Sequence, residues 1–148
     1  MEILDGKKLN AQICNELRLE VKYLADQGLN KPKLVIFQIG DNSASNIYVN
    51  RKMKFAEKIG AETELIKLDE NISEEDLLQK VSDINDDKNV NGIILQLPVP
   101  KQINSQKFFN LLTPNKDVDG LGFINLSKLV NNEKGVIAAT SRGVVTLL

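Results

Sequence analysis

Residues 33–49 read Lys33-Leu34-Val35-Ile36-Phe37-Gln38-Ile39-Gly40-Asp41-Asn42-Ser43-Ala44-Ser45-Asn46-Ile47-Tyr48-Val49. The first seven hold a continuous apolar run that Gly40-Asp41 breaks. A short run of this kind, bounded by turn residues, is a strand buried on both faces. From Ala44 to Ile59 the pattern takes the period of a helix, which Gly60 closes. Strand, short loop and helix in that order predict a βαβ unit, and so a parallel sheet with helices on both faces.

The flanking sequence repeats the alternation. Leu9, Ile13, Leu17, Val21 and Leu24 recur at helical spacing, with Asp5 to start that helix and Gly28 to end it. Glu62 to Leu68 predicts a second, weaker strand. Ser73-Glu74-Glu75-Asp76 resembles a capping box that opens a helix to about Asn85. Asn91 to Leu97 holds a third strand, which Pro98 and Pro100 prevent from continuing. Asn104 to Leu112 predicts a short helix, Lys116 to Gly120 a loop, and Ser141 to Leu148 the first turns of another helix. The expected fold is a three-layer α-β-α sandwich around a mostly parallel sheet. In such sheets ligands bind at the carboxyl ends of the strands, which selects 40–45, 67–71 and 96–100.

Composition restricts the chemistry. The 148 residues suit one domain and can bury a sizeable core. There is no His, so no Ser-His or Cys-His couple and no histidine metal site. The one cysteine, Cys14, allows neither a disulfide framework nor a thiolate zinc site. Acid–base work falls to Lys, Asp, Glu or Tyr. Nineteen basic and twenty acidic side chains are interspersed, with a net charge of -1, so no basic field points to nucleic acid or a membrane. No apolar run approaches the roughly 18 residues of a membrane span. The first six residues lack the layout of a signal peptide. A cytoplasmic protein is expected.

On a wheel of about 100° per residue, Ala44, Ser45, Tyr48, Val49, Met53, Phe55, Ala56 and Ile59 fill one half of the 44–59 helix. Lys52 falls inside that half, one turn after Tyr48. Two readings of Lys52 stand. It lays its stem on the core with its ammonium in water, or it faces a cleft with its head held by specific partners, where desolvation suits a lysine to proton transfer. Tyr48 is either a half-buried core tyrosine or part of that cleft. Gln96, at the end of an apolar strand, either pairs with backbone or points into a site. Asp117 and Asp119 before Gly120 form an Asp-x-Asp-Gly turn that lacks the further ligands of a calcium loop. No glycine-rich phosphate cradle occurs among these residues.

Taken together, these pieces resemble the N-terminal domain of the bifunctional methylenetetrahydrofolate dehydrogenase/methenyltetrahydrofolate cyclohydrolase family, the FolD type. The resemblance runs nearly end to end. It rests on Ile3-Leu4-Asp5-Gly6-Lys7, on Ser45-x-x-Tyr48-x-x-x-Lys52, on Gln96-Leu97-Pro98-Val99-Pro100 and on Lys116-Asp117-Val118-Asp119-Gly120. It implies an N-terminal domain of the amino-acid-dehydrogenase-like type and the interconversion of 5,10-methylene-, 5,10-methenyl- and 10-formyltetrahydrofolate. By the resemblance, Lys52 is the catalytic lysine, Gln96 hydrogen-bonds it and Asp119 binds the pterin edge. Tyr48 packs along the folate, and Leu97 and Pro98 line the substrate site.

The family's dehydrogenase step uses NADP or NAD, held in a C-terminal Rossmann domain that has no counterpart in these residues; no metal is implied. Residues 1–140 would form the tetrahydrofolate-binding catalytic domain and 141–148 the start of an inter-domain helix. Family members pair as homodimers, largely through the half not matched here, which leaves a monomer open. Where the family carries Pro-Cys-Thr-Pro-x-Gly, this chain has Ala138-Ala139-Thr140-Ser141-Arg142-Gly143. That departure motivates the alternative of a non-catalytic folate-binding or partner module.

Overall fold

A computed structural model describes residues 4–148. Ile3 of the opening motif lies outside the described residues. The first helix, α1 (Gly6–Asp26), starts where Asp5 accepts hydrogen bonds from the amides of Lys7 and Lys8, both at 3.0 Å. Strand β1 (Lys33–Ile39) passes through Gly40-Asp41 into α2 (Ser43–Ile59), closed by Gly60. Next come β2 (Glu62–Leu68), α3 (Glu74–Asp86), β3 (Gly92–Leu95) and α4 (Ser105–Leu111). Two further helices follow, α5 (Phe123–Val130) and α6 (Ala139–Leu147).

The strands lie in the order β2-β1-β3, and both pairings are parallel. Alternate residues of the central strand therefore face opposite layers. Val35, Phe37 and Ile39 pack with Ile93 and Leu95 against Leu77 and Val81 of α3 and Phe108 and Phe109 of α4. Phe108 stands edge-on to Phe37, with ring centroids 5.6 Å apart. Each of these side chains, fully buried, contributes about 1.5–3 kcal/mol. The other face carries α1 and α2, which pack on each other and bury Cys14, Val21, Val49 and Ala56. The expected three-layer α/β sandwich is therefore the fold observed.

Two boundaries differ from expectation by two residues each, and one helix was not expected. The ladder of β3 ends at Leu95, although Gln96 N still donates to Phe37 O at 2.8 Å. Helix α6 begins at Ala139 rather than Ser141, and no side chain caps it. No sequence expectation covered α5. Gly122 starts it without a side-chain cap, and its one buried residue is the polar Asn125. Neither a cap nor a buried apolar stripe marks it. At Ser73 the box is also modified: Ser73 Oγ accepts from Asp76 N at 3.0 Å, but the Asp76 carboxylate binds that same hydroxyl at 2.6 Å. No helix of the described residues is long and apolar enough to cross a membrane.

Candidate active site

The loops after the strands bring the sequence-selected residues to one end of the sheet. Asn42 caps α2 by accepting from Ser45 N at 3.1 Å. The helix then runs back along the sheet with Ser45, Val49 and Ala56 inward. Lys52 sits half-buried on that inward side. With Leu34, Arg51, Phe55, Ala56, Ile59 and Ala61 it lines a groove of about 400 Å³. Its Nζ donates to Gln96 Oε1 at 3.1 Å. The head group of this half-buried lysine thus has a side-chain partner, rather than water alone.

Gln96 is only 8% exposed, one residue past β3. Its Nε2 donates to Leu97 O at 2.7 Å. That bond fixes the amide, since only the nitrogen end can donate to a carbonyl, and it turns Oε1 toward Lys52. Ser45, buried on the first turn of α2, sends its Oγ to the same Leu97 oxygen at 3.5 Å. Leu97 and Pro98, joined by a cis peptide bond, form the exposed rim.

The Asp-x-Asp-Gly turn supplies the opposing group. Its two carboxylates have different tasks. Asp117, 2% exposed, accepts from Leu121 N at 3.2 Å, Gly122 N at 2.8 Å and Asn125 Nδ2 at 2.9 Å, so it anchors the turn. Asp119 is half-buried and stands within electrostatic reach of Lys52. Burial pushes its carboxyl above the ordinary range; the Lys52 charge draws it back, and Asp117 adds to the rise. Gly120 holds φ +64°, and a Cβ there would stand 2.7 Å from Val136 O, so the turn is braced against the segment before α6.

Tyr48 is 57% exposed, so it is not a core tyrosine. The Arg51 guanidinium lies over its ring, 6.0 Å from the centroid. Lys52, Gln96, Asp119 and Leu97 thus gather around the carboxyl ends of β1 and β3, with Tyr48 one turn before Lys52 on the exposed side of α2. Sequence reasoning passed over Ser45 and Asn125 as site-building residues. Ser45 carried a signal, as a polar residue within the apolar arc; Asn125, buried by a helix that nothing marked, carried none.

Caps and acidic side chains stand at the helix starts after the strands. Each helix after a strand has one first-turn amide taken by its own cap: Ser45 N by Asn42, Asp76 N by Ser73 and Gln106 N by Asn104. Asp41 stands at the first of these starts with its carboxyl held below the usual range by Asn46 and Lys67. Glu74, Glu75 and Asp76 crowd the second. Among the described residues no cluster of three or more His, Cys, Asp or Glu could hold a metal ion.

Comparison with known proteins places this arrangement. Residues 4–119 match the family model described as "Tetrahydrofolate dehydrogenase/cyclohydrolase, catalytic domain". The chain is 38% identical over 148 residues to a protein of Mesoplasma florum named "Bifunctional protein FolD", covering all of this chain and 52% of that one. It superposes on the bifunctional methylenetetrahydrofolate dehydrogenase/cyclohydrolase of Campylobacter jejuni with a TM-score of 0.97 and 36% identity, over 100% of this chain and 52% of the other. A Trypanosoma brucei methylenetetrahydrofolate dehydrogenase-cyclohydrolase, solved with NADP and an inhibitor, gives 0.92 and 27%, over 99% of this chain and 50% of that one. The chain spans about half the length of the curated relatives it matches.

Proposed function

The chain belongs to the tetrahydrofolate dehydrogenase/cyclohydrolase family, and from that premise we propose that it binds tetrahydrofolate derivatives at the Lys52 cleft and hydrolyses the 5,10-methenyl form to 10-formyltetrahydrofolate. The observation that carries this reading is the Lys52–Gln96 hydrogen bond beside Asp119 at the carboxyl end of the sheet. The methenyl amidinium is already electrophilic. Its hydrolysis needs a placed water and a group that moves protons.

The Lys52 nitrogen fills that second role. The water oxygen bonds to the methenyl carbon as one of its protons passes to a base. The carbon–N5 bond then breaks, N5 takes a proton, the hydroxyl loses one, and one proton is released overall. Gln96 aims the lysine, Asp119 receives the donors of the pterin edge, and Tyr48, Leu97 and Pro98 cover the folate. The family's oxidation of the methylene form requires a dinucleotide as hydride acceptor. In this reading these residues supply the folate side of that reaction, and the carboxylates at the helix starts disfavour a diphosphate there.

Residues 1–140 are the folate-binding catalytic unit in this reading, and 141–148 begin the connection beyond it. The buried free thiol of Cys14 suits a reducing compartment, the cytoplasm. Either a monomer or the family's homodimer is compatible with a cleft built wholly within one chain.

The test is loss of the methenyl absorbance with the 148-residue chain and its Lys52→Met variant. The wild-type chain should accelerate the loss and the variant should not. Equal rates would overturn the proposal, and tetrahydrofolate binding without turnover would leave a non-catalytic folate module.

A further inference from the structure

We propose that Gln38 is a positioning residue for the lysine site, acting by clamping the first turn of α2 to the carboxyl end of β1. The inference rests on the folate-hydrolysing reading of the Lys52 cleft. Gln38 is the one polar residue among the buried positions of β1, and it is only 1% exposed. Its Nε2 donates to Asn46 Oδ1 at 2.7 Å and to Gly40 O at 3.4 Å. Asn46 Nδ2 in turn donates to Asp41 Oδ1 at 2.9 Å, and Lys67 Nζ reaches the same oxygen at 3.3 Å. One buried amide therefore ties together the loop after β1, the first turn of α2 and, through Asp41, the end of β2.

The amide also has a cost. Gln38 Oε1 is buried and has no hydrogen-bond partner among the described residues. A residue serving packing alone would be apolar here, like Val35, Ile36, Phe37 and Ile39 around it, and would avoid an unpartnered carbonyl. What the amide supplies is position. The β1–β3 register pairs Phe37 with Leu95, and one step further sets Gln38 beside Gln96, both facing the α2 layer. Gln96 holds the Lys52 head. Gln38 holds Asn46, which lies next to Ser45 and about 9 Å before Lys52 along the helix axis. Two neighbouring amides thus fix the same helix at two points, one at its first turn and one at the lysine. A shift or rotation of α2 at Asn46 would move Lys52 against Gln96.

The test uses Gln38→Leu, Asn46→Ala and the double variant in the full 148-residue chain. Gln38→Leu should lower the rate of methenyltetrahydrofolate hydrolysis about tenfold without lowering the unfolding temperature. Asn46→Ala should act in the same direction, and the double variant should be no worse than Gln38→Leu, because both break one clamp. The side-chain amide signal of Gln96 in 15N spectra should move in both single variants, and amide exchange in the first turn of α2 should quicken. Wild-type rates in both single variants would overturn the inference. If the wild-type chain itself does not hydrolyse the substrate, the cyclohydrolase reading fails and the spectra decide. An unmoved Gln96 signal with unchanged exchange then overturns the clamp, and a moved one upholds it. Should Gln38→Leu not fold, Asn46→Ala carries the same readouts.

Discussion

Lys52 has a single hydrogen-bond acceptor among the described residues, Gln96 Oε1. A hydrogen bond to a charged group contributes about 1.5–3 kcal/mol. Gln96→Leu, which keeps bulk and removes the acceptor, should therefore slow methenyltetrahydrofolate hydrolysis by about 10- to 100-fold with the fold intact. Steady-state rates beside circular dichroism spectra check this. Asp119 gives a different signature. Burial raises its folded-state pKa, so the native protein holds that proton more tightly than the unfolded chain does. Stability then falls as pH climbs from the unfolded value of about 3.9 through the raised one, and ionised Asp119 opposes folding at neutral pH. Asp119→Asn should be more stable than wild type at pH 7, with the gap closing below pH 4, and should lose folate affinity; urea titrations across pH and calorimetry with tetrahydrofolate measure the two effects. Lys52 was legible from the helix wheel because a charge interrupts an apolar arc. Its link to Gln96 spans 44 residues, and no local pattern carries it.

At the scale of elements, β3 depends on a residue without a side chain. A Cβ on Gly92 would stand 2.6 Å from Val118 Cγ1 and 3.2 Å from Leu34 Cδ1. The 116–118 segment can lie against β3, with Ile93 N donating to Lys116 O at 2.8 Å, because that space is free. Gly92→Ala should cost about 1–3 kcal/mol by overpacking, read as a lower urea midpoint, and Val118→Ala in the same chain should recover most of it. Helices α3 and α4 are joined by Glu74, which accepts from Asn104 N at 2.7 Å and pairs with Lys107. Lys107 and the Asn104 amide hold the Glu74 carboxyl below its usual range. Its contribution is therefore present above pH 4.5 and is lost as pH falls through the lowered value. Glu74→Gln should flatten that part of the stability–pH curve. The elements with a cap or a clear period, α1 to α4 and the three strands, were readable from sequence. Helix α5 was not, because tertiary contacts hold it: Asn125 reaches Pro114 O and Asp117 at 2.9 Å each.

For the whole molecule, the folate reading sets apart two kinds of ligand. The Lys52 cleft opens where the α2 layer meets the carboxyl ends of β1 and β3, and its polar groups converge from three separated stretches of chain. The N-termini of α2, α3 and α4 stand at the same end of the sheet. A free helix N-terminus favours an anion, but here one first-turn amide of each helix already serves Asn42, Ser73 or Asn104, and carboxylates sit beside the first two starts. A folate should therefore stabilise these 148 residues and a dinucleotide should not. Ligand at 100 times its dissociation constant adds about 2.7 kcal/mol, and each kcal/mol moves the midpoint of a chain this size by about 2–4 °C. Saturating tetrahydrofolate should raise the unfolding temperature by about 5–11 °C, whereas millimolar NADP should leave it unmoved and no hydride transfer from methylenetetrahydrofolate should appear at 340 nm. A rise with NADP alone would show that these helix starts bind a diphosphate despite their caps.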